Sequence, residues 1–378
     1  MCDMRFSFTV LVLALSVCSF AAPVCAAGPE VTGYVFPQNT TLQPGQIDAD
    51  GMTRIYYAFA NIKDGRMVEG FPTDAANIPA VTALRQGNPR LEVLISVGGW
   101  LWSGGFSDAA LTTQSRKVFA ASAVEFVRRY GLDGLDVDWE YPGMPGAGHA
   151  FRSEDKENFT LLLKELRRQL DAEGKKQHRR LLLTIAAGAS GEYLEHTEMA
   201  QVARMVDSVN LMTYDYTLPG VDAVTGHDAP LFANPADPKH VSADGTVQAF
   251  EQAGVPAEKI LLGIPFYGKV WGEVADKDHG LFQPGVKAPG VDAAYSAIEE
   301  TMLGHGFTRY WDDKAEVPYL YSEEKRLFVS YEDAQSIAAK CEYVRAHGLG
   351  GVMFWSYFND PSGELLAAID RGLREETR

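Results

Sequence analysis

The sequence predicts a (β/α)8 barrel: a parallel sheet closed on itself inside a ring of helices. Three observations carry that expectation. Eight short apolar runs recur along the chain, each bounded by polar or glycine-rich stretches. Helical patterns separate most of them, and strands alternating with helices imply parallel strands. The main alternative, an open doubly wound sheet, lacks the glycine-rich phosphate turn it would place after its first strand.

In chain order, the first stretch to account for is FSFTVLVLALSVCSF, followed by AAPVCAAG. About fifteen apolar or small residues are too few to span a bilayer comfortably. The pattern reads as a secretory signal peptide over residues 1–27, cleaved near Ala27. Its basic region is weak, since only Arg5 is positive and Asp3 offsets it. An uncleaved membrane anchor is the alternative. No later stretch is long and apolar enough to span a membrane.

The eight expected strands are VTGYVF at 31, RIYYAFANI at 54, LEVLISV at 91, GLDVDWE at 134, LLLTIAA at 181, DSVNLMT at 207, ILLGIPF at 260 and GVMFWSY at 351. Two clear helices lie between them, SRKVFAASAVEFVRRYG and EDKENFTLLLKELRRQLDAEG, with apolar residues at i, i+3, i+4 and i+7. The gap between the seventh and eighth strands is too long for one helix. Its later part, FTRYWDDKAEVPYLYSEEKRLFVS, alternates and is rich in aromatics, which reads as antiparallel strands. The expected division is therefore a barrel over 28–269 and 332–378, with a small α+β insertion over 270–331. A helix over 332–347 resumes the barrel. No linker and no internal repeat appear, so no appended binding module is expected.

The formal net charge is −16, from 50 acidic and 34 basic residues. That balance disfavours nucleic acid and anionic membrane surfaces as partners. Cys2, Cys18 and Cys25 fall in the leader, so the mature chain keeps only Cys341 and no internal disulfide. An exported chain of this length can rely on its core instead. Cys341 sits in a helical pattern and reads as a packed thiol. A monomer is expected.

The stretch GLDGLDVDWEYP carries the chemistry. On a barrel strand, residues two apart face the same way, about 6–7 Å apart. Leu135, Val137 and Trp139 then face the helices, and Gly134, Asp136, Asp138 and Glu140 face the barrel axis. Glu140 falls at the C-terminal end, where barrel enzymes place their chemistry. Three carboxyl groups so close in a low-dielectric interior cannot all ionise. Such a strand stores a proton and delivers it at its mouth. Glu140 is the expected general acid, with Asp138 exchanging a proton or hydrogen bond with Glu140 and Asp136. A salt-bridged strand or a metal site are the alternatives. A metal would want His or further carboxylates from other strands, whose ends offer mainly aromatics and amides. No metal and no cofactor are expected.

Five motifs in order then resemble one family. DGLDVDWE matches the DxxDxDxE motif of glycoside hydrolase family 18 at Asp133, Asp136, Asp138 and Glu140. SVGG, from Ser96 to Gly99, matches that family's SxGG motif. MTYD with TGHDAPL, then GIPFYG and GVMFW, resemble its sixth, seventh and eighth strand segments. YWDDKAEVPYLY resembles the insertion of its chitinase subgroup. The resemblance covers essentially the whole mature chain.

The resemblance implies an exported, retaining chitinase that cleaves β-1,4 bonds between N-acetylglucosamine units with help from the substrate's own acetamido group. It implies that Glu140 protonates the leaving oxygen and then serves as base for water. Asp138 would orient the acetamido N–H, Asp136 would tune Asp138, and Tyr214 would hydrogen-bond the acetamido oxygen. Asp133 would be structural. Trp355 resembles the aromatic floor under the −1 sugar, and Trp100 the aromatic at subsite +1. Tyr34, Phe59 and Tyr267 resemble barrel-lining positions, for which core packing is the alternative. Tyr141, Met212 and Asp215 resemble further groove contacts. Gly98 and Gly99 are expected to permit close backbone approach. Trp271, Tyr310, Trp311, Tyr319 and Tyr321 either wall the groove or pack the insertion.

Two departures stand out. Lys269 occupies a position where the family commonly has Arg, and a Lys cannot supply Arg's planar fork. Ser356 follows Trp355, where a bulkier or acidic residue is frequent. Neither is expected to touch the acid–base residues. The partner implied is chitin or its oligosaccharides. A related hydrolase acting on an N-glycan core or peptidoglycan is one alternative reading. A non-catalytic chitin-binding lectin is another, against which the presence of Glu140 speaks.

Overall fold

A computed structural model describes residues 28–374; the expected signal peptide, 1–27, lies outside the described residues. Eight strands form the central sheet: β1 (Glu30–Val35), β2 (Arg54–Lys63), β3 (Glu92–Gly98), β4 (Gly134–Asp138), β5 (Leu182–Gly188), β6 (Ser208–Met212), β7 (Ile260–Pro265) and β8 (Gly351–Trp355). Each pairs in parallel with the next, and β8 returns to pair with β1. The sheet is thus the closed (β/α)8 barrel that the alternating pattern predicts, and each apolar run supplies one strand.

Strand alternation divides the core in two. Ile55, Val93, Ile95, Val97, Leu135, Val137, Leu183 and Ile185 join the large cluster beneath the helices, and each is fully buried. Burial of each such side chain contributes about 1.5–3 kcal/mol. Tyr34, Tyr56, Leu94, Leu261 and Met353 form a separate cluster, as inward-facing positions of the same strands would. The helices that cover the sheet carry matching faces. Thr113–Arg129 buries Phe119, Ala123, Phe126 and Val127. Its N-terminus is closed by a reciprocal cap between Thr112 and Ser115, and Arg128 and Arg129 lie at its negative end. Asp155–Gln177 buries Phe159, Leu162, Leu163, Leu166 and Leu170 and ends at His178 in a left-handed conformation. Cys341 is buried and free. Among the described residues no helix is long and apolar enough to cross a membrane.

Between β7 and β8 the chain builds a second, five-stranded antiparallel sheet from Lys269–Gly272, Val286–Lys287, Thr308–Asp312, Val317–Ser322 and Leu327–Ser330. Its order runs 286–287, 269–272, 327–330, 317–322, 308–312. Trp271, Val274, Tyr319, Tyr321 and Phe328 form a core of their own. Of the five aromatics that could have walled the groove, Trp271, Tyr319 and Tyr321 therefore pack the insertion. Tyr310 stacks between His279 and Tyr319, and Trp311 lies under Arg309. The helix Ala334–Ala346, capped by Asp333, returns the chain to the barrel.

Candidate active site

Sequence alternation alone brings Asp136 and Asp138 to the inner face of β4, and register gives them their neighbours. Asp136 lies opposite Ser96 on β3 and Thr184 on β5. Its carboxylate takes four donors. Tyr34 Oη (2.9 Å) and Ser96 Oγ (2.8 Å) donate to Oδ2, while Thr184 Oγ1 (2.6 Å) and Asn210 Nδ2 (3.1 Å) donate to Oδ1. Burial raises its pKa, and the Thr184, Ser96 and Tyr34 bonds, with the more distant Arg54 charge, act against the rise.

Asp138 is treated differently. It is buried and its Oδ1 has no partner. Asp136, two residues before it on the strand, instead spends both oxygens on hydroxyl and amide donors. Burial first, then the charges of Glu140 and Asp136, push the Asp138 carboxyl well above the usual range. Glu140 lies just beyond the end of β4, 8% exposed. Burial pushes it up to about 7, against a Tyr141 contact that lowers it and with the Asp215 charge adding to the rise. A carboxyl with that proton affinity at the mouth of a barrel is suited to donate and accept a proton near neutrality.

The bend that presents Glu140 depends on the glycines of the SVGG stretch. The Gly99 N–H and Ser103 Oγ both donate to the Asp138 carbonyl oxygen, at 2.8 and 3.0 Å, and the Glu140 N–H donates to Ser103 Oγ at 2.9 Å. Gly98 and Gly99 have φ of 108° and 77°. A Cβ at Gly98 would stand 2.2 Å from the Asp138 carbonyl oxygen, and one at Gly99 would stand 2.7 Å from the Phe59 ring. Neither position has room for a side chain: at Gly98 the neighbouring strand's backbone approaches, and at Gly99 the Phe59 ring does.

Above the carboxylates lies a cavity of about 1290 Å³. Every site residue expected from sequence lines it except Asp136, which is the tier below, and Gly99. The Trp355 indole stacks on Phe59, with ring centroids 5.5 Å apart at 19°. Tyr214 and Tyr267 meet edge to face, and Tyr141 contacts Trp100 in the same manner. Burial holds the Tyr214 and Tyr267 hydroxyls well above the usual range, so both remain protonated donors. Trp100 is half exposed at the rim. Among the described residues, no group of three or more His, Cys, Asp or Glu side chains is arranged to hold a metal ion.

Lys269 pairs with Asp215 rather than with Asp138 or Glu140: its Nζ lies 2.6 Å from Asp215 Oδ1, and it is the Asp215 charge that raises Glu140. Sequence reasoning missed Thr184 and Asn210. Their signal was present: Thr184 is the one polar residue of the run LLLTIAA, and Asn210 interrupts the apolar residues Val209, Leu211 and Met212 of DSVNLMT. Phe36, Phe71 and Trp102, which line the same cavity, were missed as well. Phe36 sits two residues beyond Tyr34 on the same face, which is the spacing that could have found it.

Comparison with known proteins follows from this geometry. Residues 30–360 match the family model described as glycosyl hydrolases family 18. The chain is 43% identical over 301 residues to "Chitinase A1" of Niallia circulans, a match that covers 76% of this chain and 43% of that protein. The matched region is thus less than half of that relative's length. A solved glycoside hydrolase family 18 N-acetylglucosaminidase from Paenibacillus barengoltzii superposes with a TM-score of 0.83 at 40% identity, covering 91% of this chain and 99% of that one. A class V chitinase from Nicotiana tobaccum, solved in complex with NAG4, superposes with a TM-score of 0.83 at 29% identity, covering 92% of this chain and all of the other.

Proposed function

The chain belongs to glycosyl hydrolase family 18, and from that premise we propose that it is an exported, retaining chitinase. It hydrolyses β-1,4 bonds between N-acetylglucosamine units of chitin or its oligosaccharides by substrate-assisted catalysis. It works as a monomer, without cofactor or metal. Residues 1–27 act as the export signal. Residues 270–331 are a unit inserted into the barrel of 28–269 and 332–378.

The observation that carries the mechanism is the state of the three groove carboxyl groups. Glu140 has the proton affinity of an acid–base catalyst. Asp138 is buried beside it with an unpartnered oxygen. Asp215 is held by Lys269 and by the Tyr267 hydroxyl, at 2.6 and 2.7 Å. None is placed as a free nucleophile, so the nucleophile comes from the substrate. Glu140 protonates the glycosidic oxygen as the bond to the anomeric carbon breaks. The acetamido oxygen of the −1 sugar attacks that carbon and forms an oxazolinium ion. Asp138 accepts the acetamido N–H and supports the developing positive charge, while the Tyr214 hydroxyl donates to the acetamido oxygen. Water then loses its proton to Glu140 and opens the ring with net retention. Trp355 and Phe59 provide the floor, and Trp100 takes the +1 sugar.

A second reading is removal of single N-acetylglucosamine units from a chain end, favoured by the 40% identity to the N-acetylglucosaminidase over nearly all of that protein's length. The test is a digest of chitin oligomers, N-glycans and peptidoglycan, with products resolved by mass and the first anomer by rapid NMR. Chitin oligomers should be the substrates cleaved, and the initial product should be the β-anomer. Product size separates the two readings. An initial α-product, or rapid cleavage at a glucosamine unit in subsite −1, would rule the mechanism out.

A further inference from the structure

Behind the groove, the loop leaving β6 meets the inserted sheet. Asp215 stands there at φ 60°, a left-handed conformation that a non-glycine residue keeps only when its surroundings hold it. Its N–H donates to Asp228 Oδ1 at 3.1 Å. The next N–H, on Tyr216, donates to the Asp228 carbonyl oxygen at 3.0 Å. The Asp228 N–H in turn donates to Ser330 Oγ at 2.7 Å. Ser330 is the register partner of Lys269 across two neighbouring strands of the insertion, and Lys269 is the residue paired with Asp215 Oδ1. The inserted sheet therefore reaches Asp215 by two routes. One passes through the Lys269 side chain and the other through Asp228.

Asp228 is 1% exposed, and its Oδ2 is buried with no partner. The mechanism above gives this carboxyl no role. A group kept at such cost in desolvation, and joined to a groove residue by its other oxygen, is expected to act through that residue. We propose that Asp228 is a positioning residue for the hydrolysis: its carboxyl oxygen fixes the left-handed backbone of Asp215, and the inserted sheet holds Asp228 in place through Ser330. The carboxylate of Asp215 is thereby aimed into the groove, where its charge bears on Glu140. Burial pushes the Asp228 carboxyl well up, with Lys269 pulling against it. What Asp228 must offer is an acceptor oxygen rather than a negative charge, and an amide can offer the same.

This inference rests on the reading of the groove given above. The test uses the full-length protein and a soluble N-acetylglucosamine oligomer. Asp228→Ala removes the acceptor, and kcat should fall on the order of 10²-fold, the scale of a 1 Å misplacement, with a smaller change in KM. Asp228→Asn keeps the acceptor and should restore most of kcat. No loss in Asp228→Ala, or an equal loss in both variants, overturns the proposal. If Asp228→Ala does not fold, Ser330→Ala carries the test, because it removes only the anchor of Asp228. A lower kcat at near-normal KM supports the proposal, and a wild-type kcat overturns it. Should the wild-type protein fail to cleave the oligomer, the reading of the groove fails separately. The proposal then turns on the crystal structure of a folded variant. Asp215 leaving the left-handed region upholds it, and an unmoved Asp215 overturns it.

Discussion

The two ends of the barrel handle the same residue types in opposite ways. At the N-terminal end, Arg54 pairs with Glu30 and Glu92, Asp133 with Arg85 and Arg179, and Asp207 with Arg167 and Arg180. Every one of those carboxylates pairs with at least one guanidinium, Glu30 and Glu92 sharing that of Arg54. At the C-terminal end, Asp136, Asp138 and Glu140 pair with no cation among the described residues; Asp136 has only neutral donors, and Asp138 Oδ1 has none. Among the described residues, Asp215, with Lys269, is the one groove carboxylate that keeps a cationic partner. Charge is balanced where the chain must stay folded. It is left unbalanced where a proton must come and go.

The largest test of that contrast is Glu140→Gln. It keeps the shape and removes the proton, so kcat should fall roughly 10²–10⁴-fold while oligomer binding survives. Steady-state kinetics with a poor leaving group, alongside calorimetric binding, would show it; near-normal turnover would end the assignment of Glu140. In the wild type, hydrolysis should decline as pH rises through about 7, where the acid loses its proton.

The same substitution sharpens the contrast through stability. The Glu140 carboxyl is raised from 4.5 in its ordinary state to about 7 in the fold. A raised carboxyl binds its proton more tightly when folded. Its stabilising contribution is therefore complete below pH 4.5 and is lost as pH climbs towards 7. The Gln variant has nothing to lose over that window. Measured by urea unfolding, its advantage over wild type should grow by up to about 3 kcal/mol between pH 4 and pH 8, at ~1.4 kcal/mol per unit. An advantage that shrinks with rising pH would mean that the site is not short of positive charge.

Arg54→Met probes the balanced end. The Arg54 side chain is 4% exposed, yet Glu30 and Glu92 keep 36% and 41% of theirs in solvent. Both side chains are partly exposed, although Glu30 Oε2 itself is buried, so the loss should be about 2–3 kcal/mol, at or below the roughly 3–5 kcal/mol of breaking a fully buried pair. The kcat of the folded fraction should not change.

The contrast was partly legible in the sequence. The eight strands were readable because a barrel buries both faces of its sheet, leaving unbroken apolar runs. Asp136, Asp138 and Glu140 stood out because carboxyl groups interrupt such a run at every second position. Thr184 and Asn210 were harder, since a single Thr or Asn in a strand is unremarkable until register sets it against Asp136. The pairing of Lys269 and Ser330 around Asp228 was not legible at all. It depends on the antiparallel register of the inserted sheet, which joins residues far apart in sequence. The arginine partners of Asp133 and Asp207 were hidden for the same reason.

The smallest expected effect lies inside the acidic motif itself. Asp133 and Asp138 share one short stretch, and only their ends of the strand differ. Asp133 Oδ2 accepts the Val93 N–H at 2.8 Å and pairs with Arg85 at 2.6 Å, while Oδ1 pairs with Arg179 at 2.5 Å. Asp133→Asn keeps an oxygen for Val93 and removes the charge that both guanidinium groups answer. Arg85 and Arg179 are 27% and 34% exposed, so water compensates much of the loss, and stability should fall by about 1–2 kcal/mol. Turnover by the folded protein should stay at the wild-type level, because nothing at that end touches the groove. Asp138→Asn is the same chemical change made at the other end, with the reverse result expected. No guanidinium is stranded, a desolvated carboxyl is removed, and stability should hold or rise. Turnover should drop, because an amide cannot balance the charge that develops on the sugar. Urea midpoints and kcat for the two variants, measured side by side, decide the matter. A fall in kcat for folded Asp133→Asn as large as that for Asp138→Asn would show that the motif acts as one unit, and that the division between the two ends of the barrel is not the one that governs function.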